Sequence, residues 1–172
     1  MANELYTRTN QKIFYAGLSL ESWRKAETAQ AMNVQGLIQA EREAALFHLY
    51  GAVLGLCHEI AGYYRLPNSQ SPQVEILLDG VLLDAAPSPE LSELVELAAN
   101  AETWLAQLLA AYKALYKPPQ MQQKAKVDPT TPLIVAVSID QAPEVLERET
   151  LEGWRKQITA LARRFRESLS EW

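Results

Sequence analysis

The clearest hydrophobic pattern in the chain lies between residues 33 and 66. Apolar side chains recur there at alternating spacings of three and four residues, at Leu46, Leu49, Val53, Leu56, Ile60 and Tyr63. This spacing follows one side of an α-helix, so the segment predicts a long helix that ends before Pro67. Other apolar residues widen the hydrophobic face, which indicates a central helix with neighbours on several sides. They are Phe47, Tyr50, Leu54, Cys57 and Tyr64.

The two ends of the chain show the same helical spacing. A first helix is predicted over residues 3–32, with an inner face formed by Leu5, Ile13, Ala16, Leu20, Trp23, Ala26 and Ala29. A last helix is predicted from Pro143 or Thr150 to the C-terminus. Its inner face holds Leu151, Trp154, Ile158, Leu161, Phe165, Leu169 and Trp172. Both helices are long enough to pack along the central one.

A fourth helix is predicted from Ser88 to just before Pro118. Ser88 is a typical N-cap, Pro89 suits the first helical position, and Glu90 places a carboxylate in the first turn. The inner face of this helix holds Leu91, Leu94, Leu97 or Ala98, Ala101, Leu105, Leu108 and Tyr112. The pattern indicates one continuous helix.

Two segments have alternative predictions, and a connection precedes the second of them. Residues 72–83 favour a short helix because leucine dominates, but Asp79-Gly80 between apolar runs is also a hairpin signal. Residues 117–132 are rich in proline, glutamine and lysine, which is typical of a connection. The run LIVAVSI at 133–139 is either a strand or an extended segment across the bundle, and the second is favoured because a lone strand is unstable.

Together these elements predict an all-α fold. We expect a single domain over residues 1–172, an antiparallel bundle of four to five helices with one extended segment, in which 117–142 is a loop and extended connection. Four glycines fall in the second helix, Gly36, Gly51, Gly55 and Gly62. Each costs about 1 kcal/mol relative to alanine, so they indicate close approach by a neighbouring backbone.

Composition and charge narrow the class of partner. The net charge of −5 among 172 residues disfavours nucleic acid. The basic residues near the C-terminus alternate with glutamates, which predicts a salt-bridged surface. No apolar run is long enough to span a membrane, and the start resembles no secretion signal. Cys57 is the only cysteine, so we expect no internal disulfide, a buried unreactive thiol and a cytoplasmic location.

Motifs for cofactors and metals are missing from the sequence. It has no Gly-x-Ser-x-Gly, Walker or dinucleotide motif, so no cofactor is expected. The two histidines, His48 and His58, lie ten residues apart on one predicted helix, or about 15 Å along its axis. They cannot share a metal, and only Cys57 could join them as a zinc ligand. We therefore expect no metal site.

One polar stripe offers candidate chemistry. Glu41, His48, Gly55 and Glu59 share one side of the second helix. A carboxylate-oriented histidine would serve acid–base catalysis, whereas the plainer and favoured interpretation is the polar side of a mostly buried helix. Arg42 and His48 also form an Arg-x5-His pattern, which resembles the motif of the all-helical HEPN family. That resemblance implies metal-independent RNA cleavage at a dimer interface by Arg42 and His48. Together with Glu59 from the polar stripe, these are the candidate catalytic residues.

The segments NELYTRTNQKIFYAGLSL (3–20) and AEREAALFHLYGAVLGLCHEIAGYYRLP (40–67) resemble a family of uncharacterised bacterial proteins of about this length, known as a domain of unknown function. The likeness covers the whole chain and is strongest over residues 3–66. It implies a bacterial cytoplasmic protein and carries over no site residue. The leading hypothesis is therefore a non-enzymatic interaction or adaptor protein, with a homodimer or another protein as partner. It predicts an exposed apolar patch larger than about 300 Å². The alternative is a small HEPN-like ribonuclease or hydrolase.

Overall fold

A computed structural model describes residues 2–29, 32–118 and 145–170, with side chains from residue 4 onward. The helices are α1 (Ala2–Thr28), α2 (Val34–Tyr63), α3 (Val74–Leu77), α4 (Gly80–Ala85), α5 (Pro89–Ala99), α6 (Trp104–Ala114) and α7 (Arg148–Ser170). The predicted all-α class is confirmed for this part of the chain. The described helices number seven rather than four to five, because one predicted helix is broken and another is split into two short ones.

Helices α1 and α2 form an antiparallel pair. Thr9 lies against Gly55 and Lys12 against Gly51, while Ser22 donates a 2.8 Å hydrogen bond to Glu41 further back along α2. A Cβ atom added at Gly55 would lie 3.2 Å from the backbone Cα of Thr9. The close approach predicted from the glycines is therefore confirmed at Gly55.

The other three glycines of α2 differ from Gly55. Gly51 faces the side chain of Lys12, and Gly62 faces the side chain of Leu5. Gly36 has no atom within 4 Å of an added Cβ, so the predicted close approach is wrong there. Backbone contact thus depends on one glycine, and side chains of α1 fill the space above two more.

Helix α7 packs on both members of this pair and completes the core. It runs antiparallel to α1, because Arg148 pairs with Glu27 and Arg166 reaches Asn10. The predicted inner residues of α7 that the structure describes are all buried, namely Leu151, Trp154, Ile158, Leu161, Phe165 and Leu169. The central seam of α2 is buried as predicted from Leu46 to Ile60, whereas Tyr63 at its end is exposed.

Residues 74–77 and 80–85 are helical, so the hairpin alternative is wrong. Asp79 takes an extended conformation and N-caps α4, where its side chain accepts a 3.1 Å hydrogen bond from the amide of Val81. Gly80 has no positive φ, which the mirror-image turn of a tight hairpin requires. The Asp-Gly pair therefore separates two short helices instead of turning two strands.

The helix predicted from Ser88 to Pro118 is broken at residues 100–103. Asn100 is extended, and its side chain accepts a 3.0 Å hydrogen bond from the amide of Glu102. Thr103 then N-caps α6 by accepting a bond from the amide of Ala106. Asn and Thr side chains satisfy backbone groups in this way and compete with a continuous helix. Ser88 is at the N-cap of α5 as predicted, but its side chain makes no capping bond.

Two of the predictions fall on residues outside the described part of the chain. They are the extended segment at 133–139, with most of the 117–142 connection, and the position of Trp172. Helix α2 is long and apolar enough to span a membrane by composition alone, although 67% of the apolar window is buried within the structure. Core helices of soluble proteins have the same character.

Candidate functional site

Arg42, the first candidate catalytic residue, connects α2 to the start of α7. Its Nε donates a 3.1 Å hydrogen bond to the carbonyl of Leu146. Its guanidinium lies 4.8 Å from the ring centroid of Trp23, a cation–π contact, and it also bonds Gln39. These contacts give Arg42 a structural role between three segments of the chain.

Glu59, the second candidate, is part of a buried ion pair. Its side chain accepts two hydrogen bonds from Arg166, at 2.8 and 2.7 Å, and a third from the hydroxyl of Thr9. Arg166 also donates to Asn10 and lies over the ring of Tyr6. The hydrogen bond to Glu59 raises the pKa of Arg166. This cluster joins α1, α2 and α7. The sequence pattern instead predicts that the basic residues near the C-terminus, Arg166 among them, form a salt-bridged surface.

His48, the third candidate, lies at the contact between α1 and α2. Its ring packs edge-on against Tyr15 and Phe47, with centroid distances of 5.4 and 5.3 Å. Within the described chain its buried Nδ1 has no hydrogen-bond partner. Burial and the charge of Lys12 lower the pKa of His48, which favours the neutral ring.

The three candidate residues do not converge. Each has different partners, and no hydrogen bond, ion pair or ring contact between described residues joins any two of them. Arg42 and Glu59 are also separated by about 26 Å along α2, from the rise of a helix. The ribonuclease hypothesis stays a prediction. It requires a partner subunit to bring the candidate residues together.

A cluster of exposed apolar side chains lies on the outer side of the α1–α2 pair. It consists of Phe14, Tyr15, Leu18 and Phe47, which are 61%, 38%, 51% and 48% exposed. We call these four residues the aromatic surface. Tyr15 contacts both Phe14 and His48, and His48 contacts Phe47, so that the rings form a continuous chain. Leu18 extends it by one turn of α1.

Lys12 lies at the edge of the aromatic surface and is only 8% exposed. Its aliphatic chain crosses Gly51, with Cδ 3.1 Å from an added Cβ, and its ammonium lies 4.6 Å from the ring centroid of Phe47. No carboxylate in the described residues pairs with it. Burial and the nearby charge of Arg8 lower the pKa of Lys12.

The surroundings of Lys12 supply a cation–π contact with Phe47, which contributes about 0.5–2 kcal/mol, but no carboxylate among the described residues. Buried charges in proteins are normally paired with an opposite charge. Lys12 instead has no opposite charge beside it within the described residues.

Sequence reasoning missed the aromatic surface although a signal was present. Phe14 and Leu18 fall four residues apart on the side of α1 opposite Ala16, Leu20 and Trp23. An apolar pair on the polar side of an amphipathic helix indicates a second contact surface. The inner-face positions alone therefore do not account for all the contact surfaces of α1.

A groove of about 480 Å³ lies at the other end of the α1–α2 pair, lined among others by Tyr6, His58, Glu59 and Tyr63. His58 Nε2 lies 2.7 Å from the carbonyl of Ser71, which can only accept, so this nitrogen donates and the tautomer is fixed. The described residues contain no group of three His, Cys, Asp or Glu side chains arranged to hold a metal ion.

Cys57 is buried, as predicted from its apolar neighbours. Burial raises the pKa of its thiol to about 12. At neutral pH the reactive thiolate is therefore almost absent, which fits an unreactive core residue.

Comparison with known proteins gives a family and no activity. The sequence profile of the family of unknown function DUF6586 matches residues 1–172. No match was found among curated proteins or among solved structures. The predicted resemblance to a domain of unknown function is confirmed in that respect. Because the profile spans the whole length given, the chain belongs to the DUF6586 family.

Proposed function

We propose that this protein is a non-enzymatic interaction protein that binds another protein through the aromatic surface. The observation that carries the proposal is the exposure of Phe14, Leu18 and Phe47, each about half or more open to solvent. Full burial of one such side chain stabilises a structure by roughly 1.5–3 kcal/mol. A partner that covers all of them gains this free energy, which the fold itself leaves unused.

Clustering distinguishes this surface from ordinary exposed apolar residues. Ile76 and Val81 are also exposed, but each is the only large apolar residue of its short helix, α3 or α4, that is exposed. Single exposed hydrophobic residues are normal in soluble proteins, whereas contiguous apolar patches mark interaction sites. Aromatic residues are also enriched at the centres of protein interfaces.

The same proposal includes a cytoplasmic setting. Its support is indirect: the single cysteine is buried and free of any disulfide. The partner is accordingly sought among proteins of the cytoplasm.

Quantitative capture from the host organism tests the proposal. Wild-type protein is compared with a Phe14→Asp/Leu18→Asp variant and with Val81→Asp, which places a charge at an isolated residue that is 73% exposed. We expect at least one protein to be recovered by the wild type and by Val81→Asp but not by the double variant. Equal recovery by all three would show that the partner binds elsewhere.

A further inference from the structure

The second unusual feature of the aromatic surface is the charge at its edge. The side chain of Lys12 lies across Gly51, and its ammonium lies 4.6 Å from the ring centroid of Phe47. A flexible lysine normally extends its charge into water. Here the packing of α1 against α2 fixes the position of the charge.

The charged and titratable groups around Lys12 bring no negative charge to it. Arg8, one turn earlier on α1, is a second cation, and burial lowers the pKa of His48, which favours its neutral form. The carboxylates nearest to Gly51 along α2 are Glu43 and Glu59, each about 12 Å away along the helix axis, and they have other partners, Gln39 and Arg166. Lys12 is thus a positioned cation that lacks an anion within the described residues.

We propose, resting on the proposed function, that the partner is a protein segment that presents a carboxylate flanked by apolar side chains. The carboxylate pairs with the ammonium of Lys12, supported by the field of Arg8. The apolar side chains cover Phe14, Leu18 and Phe47. An aspartate or glutamate on an amphipathic helix has this combination of groups.

A carboxylate fits this site better than the other anions. Phosphate recognition normally uses several N–H donors or an arginine fork. Here one ammonium lies among apolar rings. A nucleic-acid backbone would require a wider basic surface than Lys12 and Arg8, on a chain of net charge −5.

A second copy of the chain is a poor occupant. The aromatic surface with Lys12 and Arg8 contains no carboxylate. Of the carboxylates beside it, Glu21 on α1 is held by Arg24 and Lys25, and Glu43 on α2 accepts from Gln39. In a two-fold symmetric dimer the same patch meets itself. Two such patches would bring cations against cations, so charge complementarity favours a different, acidic partner.

Selection from a random peptide library tests the proposal. The folded protein is used as bait in three forms: wild type, Lys12→Met, and the Phe14→Asp/Leu18→Asp variant. Methionine keeps an apolar chain over Gly51 and removes the charge. We expect wild type to enrich peptides in which Asp or Glu is flanked by Leu, Phe or Trp, and Lys12→Met to enrich apolar peptides with no acidic preference.

Calorimetry with one enriched peptide and its amide analogue makes the test quantitative. Replacing the peptide's acidic residue by its amide should weaken binding to wild type on the order of tenfold to a hundredfold, the loss typical of a broken desolvated charge pair. The same replacement should leave binding to Lys12→Met unchanged.

The outcomes separate this proposal from the function on which it rests. If wild type enriches apolar peptides without an acidic preference, the proposed carboxylate in the partner is wrong, and the proposed interaction surface remains. No enrichment over the Phe14→Asp/Leu18→Asp variant would overturn both. A wild-type dimer in sedimentation that the double variant loses would make a second copy the occupant and also overturn the proposal.

Discussion

At the scale of single residues, the three predicted catalytic side chains act as connections between helices. Glu59 is 3% exposed and receives three hydrogen bonds, two of them from Arg166. A carboxylate so placed is stable only while its cationic partner remains. His48 is the opposite case, since its buried Nδ1 lacks a partner within the described chain. Sequence position alone does not distinguish these two environments.

Removing one member of the buried ion pair should destabilise the protein strongly. We expect Arg166→Met to lower the free energy of unfolding by about 3–5 kcal/mol, because Glu59 is left buried and unpaired. Arg163→Met, on the same helix, breaks the exposed pair with Glu167 and should cost at most about 1 kcal/mol. Urea denaturation measures both. Similar losses for the two variants would contradict a structural role for Glu59.

The lowered pKa of His48 predicts a dependence of stability on pH. The unfolded chain binds a proton near the ordinary histidine pKa, about 6.5, while the folded protein binds it only at lower pH. Below that ordinary value the unfolded state therefore holds more protons, and stability falls as the pH decreases toward the folded pKa. His48→Phe should lose less stability than wild type between pH 7.5 and 5 in denaturation experiments. Equal losses of stability in the two proteins would show that the ring nitrogen of His48 is open to water in the folded state.

At the scale of elements, the α1–α2 contact determines most of the architecture. Three of the glycines of α2 lie under side chains or backbone of α1, and the ion pair of Glu59 with Arg166 attaches α7 to the same pair. The aromatic surface lies on the outer side of this contact. Its position is therefore fixed by the best packed part of the molecule.

Two matched glycine substitutions test the helix contact. An added Cβ at Gly55 would lie 2.6 Å from Thr9 Oγ1 and 3.2 Å from its Cα, so Gly55→Ala should destabilise despite the better helix propensity of alanine. Gly36 has open space, and Gly36→Ala should stabilise by about 0.5–1 kcal/mol. Thermal unfolding measures both. Stabilisation by both substitutions would mean that α1 lies farther from α2.

Hydrophobic periodicity predicted most of the buried sides of α1, α2 and α7, because long amphipathic helices repeat the same signal over many turns. It was wrong at Ala29 and Tyr63, which are exposed near helix ends. It failed at residues 100–103, where the side chains of Asn100 and Thr103 bond local amides and end one helix before the next begins. The partner of Glu59 was also missed. Arg166 is distant in sequence, and among alternating charges nothing marks the one that points inward.

At the scale of the whole molecule, burial and exposure serve different purposes. The buried faces of α1, α2, α5, α6 and α7 form one core, in which Leu49, Ile60, Leu105 and Ile158 are fully enclosed. The aromatic surface adds nothing to that core. We account for it as a binding surface, and for Lys12 as the charge that selects an acidic partner.

Photo-cross-linking in the host tests this account most directly. A photoreactive amino acid is introduced at Phe14, at Leu18 or at Val81, each of which is exposed and lies outside the core. The account predicts a discrete adduct with one protein from positions 14 and 18 and none from position 81. The absence of adducts from both α1 positions, or the same adduct from all three, would contradict it.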